Sequence, residues 1–264
     1  MSGRITVMGG DRRFLSVKAF FEKKGFTVNT AFLGEEKQDA VYNTVIMPVP
    51  VFRNAFLNSP LTEKKVSENE LYEILPENSE VFGGMIPEQF IRKCKEKNIC
   101  FTDYYKDEIL LNENAKLTAK AVPLILEENS ISLKNGKVLI LGYGRCGRAI
   151  ADIISSVGGN VTVVTSKSDA ANHSFIHFEN LSENLSDVSL AVNTVPSTVL
   201  SENELVKLKR NAVLIEIASA PYGIDFDSAK RLDIKVIKAP SLPGRYFPVE
   251  AGELIAKTIL KELN

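Results

Sequence analysis

The sequence predicts an α/β protein built from two doubly wound parallel-sheet domains, and three observations carry that reading. Short apolar runs alternate with amphipathic stretches along most of the chain, the pattern of strands joined by crossover helices. A strand that ends in glycines and runs straight into a helix occurs twice, at RITVMGGDRRFL from Arg4 and at VLILGYGRCGRAIADII from Val138. The 264 residues suffice for two modest cores. The expected division is a first domain of residues 1–115, completed by a C-terminal helix at residues 249–264, and a second of residues 116–248.

The first domain can be followed strand by strand. Arg4 to Gly10 is an apolar strand closing in glycines, Asp11 is placed to cap a helix over Arg12 to Lys24, and Gly25 stops that helix. Further strands read at Thr27 to Phe32, Tyr42 to Met47, Glu80 to Gly83 and Ile99 to Phe101, with helices at Glu68 to Leu75 and Pro87 to Lys97. Val51 to Lys65 is the least regular stretch and reads as loop with helical turns. Leu111 to Glu128 has helical periodicity, with Asn112 as its cap and Pro123 as a bend, and joins the domains ahead of a turn at Lys134 to Gly136. The closing helix, Val249 to Leu263, follows Pro248 and is expected to pack on the first domain.

The second domain carries the chemical signal. Val138 to Leu141 suits a parallel strand buried on both faces. Gly142, Gly144 and Gly147 follow in GxGxxG spacing: the first permits a tight turn, the second lets the backbone approach a pyrophosphate, and the third lets the helix pack closely. The helix that opens there aims its free N–H groups and positive end at the phosphates. Cys146, inside the turn, reads as a small residue tolerated beside them. Strand, turn and helix together mark a Rossmann dinucleotide-binding domain. The next strand, Val161 to Thr165, ends where NAD-preferring domains keep an Asp or Glu for the ribose 2′-hydroxyl. Here the chain reads Thr165, Ser166, Lys167, Ser168, with no carboxylate before Asp169. Hydroxyls and an ammonium suit a 2′-phosphate, so NADP is the expected cofactor. Strands at Leu190 to Val195, Ala212 to Ala218 and Lys235 to Ala239 end in loops carrying Asn193, Thr194, Pro196 and Ser197, then Ser219, Pro221, Tyr222 and Gly223, then Pro240, Ser241, Pro243 and Gly244. In open α/β sheets ligands lie outside the carboxyl ends of the strands, so these loops should line the cofactor cleft.

Lys plus Arg number 32 against 33 Asp plus Glu, so the charge balance calls for neither nucleic acid nor an anionic membrane. Apolar runs fall short of membrane-spanning length, and MSGRITVMGGD enters a strand without a cleavable signal pattern, from which a cytoplasmic protein is expected. Cys94, Cys100 and Cys146 lack metal or CxxC spacing and read as reduced thiols, with no metal site. Hydride transfer to a hydroxy acid normally uses a histidine held by a carboxylate. The chain's 2 histidines, His173 and His177, follow the second strand on the adenosine side and read as surface or packing residues. The catalytic group is therefore unknown: the reaction either needs little protein-supplied acid or base or draws it from Lys, Asp, Tyr or water.

Five segments, VMGGDRR, LGYGRCGRAIA, VNTVPSTVL, LIEIASAPYGIDFDSAK and KAPSLPGRYFPVEAG, resemble the dipicolinate synthase A-chain family over nearly the whole chain. The resemblance implies two α/β domains related to those of D-isomer hydroxy acid dehydrogenases. It also implies NADP-dependent oxidation of dihydrodipicolinate, formed from a tetrahydrodipicolinate precursor, to the aromatic acid in spore-forming bacteria, together with a flavoprotein-like B subunit. By that resemblance Gly142, Gly144, Arg145, Cys146 and Gly147 meet the pyrophosphate, Thr165, Ser166 and Lys167 the 2′-phosphate, and Thr194, Val195 and Pro196 the ribose. Ala218, Ser219, Leu242, Pro243 and Gly244 would flank the nicotinamide. A dicarboxylate substrate calls for cations and N–H donors, with Gly10, Asp11, Arg12, Arg13, Asn112, Lys116 and Arg245 as candidates. Oxidising a dihydropyridine yields an aromatic ring, so positioning is the protein's main contribution, which fits the missing histidine.

The chain departs from the family pattern in three places. Asn112 to Ala119 stands where relatives read like NSIPTAEG, Ala220 replaces an arginine of an ASRPGG segment, and Val249 with Glu250 replaces the lysine of a PKTAG-like segment. Two further readings stay open: a non-catalytic dinucleotide-binding subunit, and an NADP-dependent dehydrogenase of another small acid. The sequence also leaves a homo-oligomer open.

Overall fold

The computed structural model describes residues 3–34, 41–134, 136–167, 170 and 172–263. Asn135 of the turn at Lys134 to Gly136, and Ser168 and Asp169 beyond Lys167, lie outside the described residues. The protein is α/β with two compact units, residues 1–114 with 247–264, and residues 115–246.

In the first unit the order is β1 (Arg4–Met8), α1 (Arg12–Lys23), β2 (Thr27–Ala31), β3 (Thr44–Ile46), β4 (Phe52–Arg53), β5 (Phe56–Leu57), α2 (Glu68–Ile74), β6 (Glu80–Gly83), α3 (Glu88–Cys94), β7 (Cys100–Asp103) and the start of α4 (Glu108–Glu128). The sheet is parallel in the order β2-β1-β3-β6-β7. Successive side chains alternate between two cores, as the two-residue period of a strand requires. Val7, Ile46 and Phe82 join Phe14, Phe21 and Ile259 on one face, while Met8, Val45 and Val81 join Leu71 and Phe90 on the other. Each of these fully buried side chains contributes roughly 2–3 kcal/mol of transfer free energy.

Two expectations change in the first unit. Val51 to Lys65 contains no helical turn but a two-stranded hairpin, β4 on β5, turned by Asn54 and Ala55 at φ 49° and 65°. Positive φ at both central residues matches the twist of the flanking strands. Asn112 does not cap α4, which starts at Glu108; the Asp107 carboxylate accepts from the Leu110 N–H at 2.6 Å instead. Pro123 stays inside the helix.

The second unit continues with β8 (Lys137–Leu141), α5 (Arg145–Ser156), β9 (Asn160–Thr165), β10 (Ser174–His177), β11 (Val188–Asn193), α6 (Glu202–Leu205), β12 (Val213–Glu216), α7 (Phe226–Arg231), β13 (Lys235–Lys238) and α8 (Leu242–Tyr246). Its parallel sheet has the order β10-β9-β8-β11-β12-β13, the doubly wound dinucleotide-binding arrangement. Leu242, Pro243 and Gly244 lie in the short helix α8 rather than a loop; proline is tolerated near a helix start because its missing N–H has no partner there anyway. The last helix, α9 (Pro248–Glu262), belongs to the first unit and lies against α1, where a Cβ on Gly252 would collide with the Arg13 carbonyl oxygen.

Candidate functional site

In the second unit the chain reverses its winding between β8 and β11, so the segments after those strands flank the crevice at the switch point. Gly142 leaves β8 at φ +97°, a left-handed conformation that a side chain disfavours, and a Cβ there would sit 2.6 Å from the Thr194 hydroxyl. A Cβ on Gly147 would strike the Gly142 carbonyl oxygen, so the third glycine lets α5 close on its own turn. Gly144 is the opposite case: it is the cap residue of α5, and a Cβ there meets nothing within 4 Å. An exposed turn with open space above it, at the start of a helix with unused N–H groups, fits a pyrophosphate. Arg145 is exposed beside it and Cys146 half-buried; burial raises the Cys146 thiol pKa, against opposing contributions from Thr118 and Arg145.

The walls of the crevice are tied to the sheet. The Thr194 hydroxyl and N–H both donate to the Leu141 carbonyl, at 2.9 and 3.0 Å, which locks the ends of β8 and β11 together. Val195 is half-buried and Pro196 exposed; beside Val195 opens a cavity of about 490 Å³ lined by Phe178, Leu181, Ser197, Thr198 and Val199. At the end of β9, Ser166 and Lys167 are exposed. Thr165 is buried, and its hydroxyl accepts from the Lys167 N–H at 3.0 Å, so it shapes the turn instead of reaching outward. Ala218, Leu242 and Pro243 are buried and Ser219 exposed.

A residue outside the predicted set organises the rim. Glu216 ends β12 in register with Asn193 and is 1% exposed. Its carboxylate accepts from Asn193 Nδ2 at 2.8 Å, Ala218 N at 3.0 Å, Gly223 N at 2.9 Å and Ile224 N at 3.1 Å. Asn193 in turn holds both polar groups of the Val195 backbone, donating to its carbonyl and accepting from its N–H. A buried carboxylate is costly unless its lone pairs are used, and here they are, by donors from both cofactor-side loops. The signal in the sequence is a lone carboxylate inside the apolar run AVLIEIA.

The histidines work elsewhere. His173 Nε2 lies 2.8 Å from the Asp152 carboxylate and Nδ1 3.4 Å from the Ser155 hydroxyl, pinning the segment after β9 to α5. His177 stands edge-on to Phe175 in β10.

The predicted substrate residues divide between the two units, Gly10 to Arg13 and Asn112 in the first and Lys116 and Arg245 in the second. Gly10 and Asp11 follow β1, Arg12 opens α1 and is exposed, and Arg13 is buried. Asn112 and Lys116 are exposed on α4. Arg245 is exposed, 3.6 Å from Glu128, the same carboxylate that accepts from the Tyr246 hydroxyl at 2.7 Å. Among the described residues no group of His, Cys, Asp and Glu is arranged to hold a metal, and no helix is long and apolar enough to cross a membrane.

Two family patterns match the chain: the N-terminal domain of the dipicolinate synthase A-chain over residues 4–105, and the D-isomer specific 2-hydroxyacid dehydrogenase NAD binding domain over residues 114–228. The chain is 25% identical over 285 residues to the dipicolinate synthase A-chain of Bacillus subtilis, a match covering 98% of this chain and 95% of the relative. Its fold resembles that of the dipicolinate synthase A-chain from Bacillus halodurans, with a TM-score of 0.84 at 21% identity over 99% of this chain and 97% of the other. The transhydrogenase of Sinorhizobium meliloti shares the fold at a TM-score of 0.70 and 14% identity, over 98% of this chain and 93% of that one. The second unit is thus a nicotinamide-dinucleotide-binding domain of the dehydrogenase type.

Proposed function

Because the chain belongs to the dipicolinate synthase A-chain family, we propose that it oxidises dihydrodipicolinate to dipicolinate with NADP, in the cytoplasm, during the sporulation pathway that makes this acid. A flavoprotein-like B subunit is its proposed partner. The dihydropyridine gives up a hydride to the dinucleotide and a proton to solvent or a neighbouring base, and the product is aromatic. The observation that carries the reading is the open turn at Gly144 between two glycines that tolerate no side chain.

The chain's own residues then have defined tasks. Gly142, Gly144, Arg145, Cys146 and Gly147 receive the pyrophosphate. Ser166 and Lys167 meet the 2′-phosphate from the exposed end of β9, on a turn that Thr165 shapes. Thr194, Val195 and Pro196 border the ribose, and the cavity beside Val195 takes the adenine face. Glu216 holds the loops on which Val195, Ala218 and Ser219 sit. Ala220 stands where relatives carry an arginine, and Arg245 lies 3.6 Å from Glu128.

The test is growth of absorbance at 340 nm when dihydrodipicolinate and NADP are supplied, with and without the partner subunit. Turnover with NADP is the expected result; none under either condition rejects the proposal. NADPH binding without product formation would favour a non-catalytic role.

A further inference from the structure

Among the described residues only two charged side chains are buried, Glu216 in the second unit and Arg13 in the first. Each lies at the carboxyl edge of its sheet, and their hydrogen-bonding accounts differ. Glu216 accepts from four donors and has no evident need of a ligand. We infer that Arg13 is a carboxylate receptor built into the first unit, with its Nη1 amino group as the contact point. The inference deepens the proposed function and rests on it for the identity of the ligand, though not for the existence of the site.

A guanidinium carries five N–H donors in a rigid fork. Arg13 Nε faces both Asp11 oxygens, at 2.9 and 3.2 Å, and Nη2 donates to Asp11 Oδ2 at 2.9 Å and to the Val49 carbonyl at 3.2 Å. These contacts use Nε and Nη2 and leave both N–H groups of Nη1 without an acceptor among the described residues. Nη1 is not sealed away either, since Ser79 Oγ is the one fully buried side-chain polar atom there that lacks a partner. Burial opposes the charge, and the hydrogen bonds and charge of Asp11 more than offset it, raising the pKa of Arg13 above its ordinary value. The result is a rigidly held cation with one unspent edge.

Its place in the fold is where a ligand belongs. In the order β2-β1-β3-β6-β7 the winding reverses between β1 and β3. Asp11 follows β1 and Val49 follows β3, so the side chain of Arg13 spans that reversal. The first turn of α1, a helix of 12 residues, adds its positive end. Asp11 already cancels one unit of charge, which favours a singly charged carboxylate arm over a phosphate dianion. Tyr104 stays neutral, its hydroxyl pushed up by burial and donating to the Met47 carbonyl at 2.9 Å, so it does not compete for the cation. Arg12, next in the chain and exposed, has none of this fixing.

Calorimetric titration of the full chain with pyridine-2,6-dicarboxylate, and separately with malonate and citrate, tests the site. Dinucleotide titration is run in parallel on wild type, Arg13→Lys and Arg12→Gln. Losing the fork should weaken dicarboxylate binding about 10- to 100-fold in Arg13→Lys, the worth of one charge-assisted hydrogen bond. Dinucleotide affinity should hold, and Arg12→Gln should lose less. Wild-type affinity in Arg13→Lys, or a larger loss in Arg12→Gln, overturns the inference and leaves the proposed function standing. Arg13-dependent binding of malonate or citrate without pyridine-2,6-dicarboxylate keeps the site and sinks the proposed substrate. If no carboxylate binds wild type, the site falls. Should Arg13→Lys fail to bind dinucleotide, a wild-type crystal grown with pyridine-2,6-dicarboxylate decides: a carboxylate on Nη1 supports the inference, and one elsewhere refutes it.

Discussion

Both sheets reverse their winding beside the first strand, yet fill that point with opposite materials. In the second unit that point is a backbone turn: Gly144 is exposed with open space above it, Gly142 and Gly147 leave no room for a side chain, and the buried charge, Glu216, is spent on holding loops. In the first unit the corresponding position is filled by a side chain, Arg13, whose charge is only partly spent. The lesson is that a shared topology settles where a ligand sits, while the residues just after the first strand decide what it is. Backbone N–H groups suit a diphosphate that must lie close, and a planar guanidinium suits a carboxylate.

The two units differ most at Gly144. Gly144→Val should fold normally, since a Cβ there meets nothing within 4 Å, yet lose dinucleotide affinity about 100-fold or more by filling the phosphate space. Fluorescence titration with NADPH reads this out, and retained affinity would place the cofactor elsewhere.

Next in size is Glu216→Gln. An amide turns one acceptor oxygen into a donor facing two N–H groups, so two buried donors lose their partner at a cost of about 3 kcal/mol. Melting of the second unit should fall by roughly 10 °C, with weaker dinucleotide binding as the loops loosen. An unchanged melting curve would mean that saturation of the carboxylate is not what separates it from Arg13.

Lys167→Asp should shift preference from NADP toward NAD by about tenfold through repulsion of the 2′-phosphate. Because Lys167 is exposed, that shift should shrink as salt rises, unlike any effect at buried Arg13. Parallel Kd measurements for both dinucleotides at two ionic strengths check it; unchanged NADP affinity removes Lys167 from the site.

The smallest effect concerns thiols. Burial raises the Cys146 pKa and lifts that of Cys94 to about 11, which means less thiolate near neutrality, while Cys100 is exposed. Iodoacetamide labelling at pH 7.5, followed by mass spectrometry, should run Cys100 first, Cys146 slower and Cys94 last. Labelling of Cys146 and Cys94 should accelerate as pH climbs toward their raised values. Bound NADP should slow Cys146 a few-fold further, because the residue sits in the first turn of α5; no protection would argue against a pyrophosphate there.

Much of this was legible in one dimension. Periodicity and glycine punctuation marked β1, α1, β8, α5 and the strands that follow, because a parallel strand is a short apolar run and a helix start has its own residue chemistry. The errors have physical causes. Thr165 looks like an outward hydroxyl at a strand end, yet a buried turn claims it. The helix start at Asp107 and Glu108 carried a cap signal as good as Asn112, four residues into α4. Pro243 and Gly244 suggested a loop where α8 forms, since both are tolerated in a helix of 5 residues. The hairpin at Phe52 to Leu57 is too short to show a period.

Local pattern alone determined the fold class, the glycine turn and the class of cofactor it serves, because each depends on residues adjacent along the chain. Tertiary structure alone decided that Arg13 rather than Arg12 is the anchored cation, and that Glu216 gathers the rim of the cofactor crevice. Their partners, Val49 for the one and Asn193, Gly223 and Ile224 for the other, come from separate strands and loops. Whether a buried charge is saturated or has a donor to spare depends on that gathering, and no spacing in the sequence encodes it.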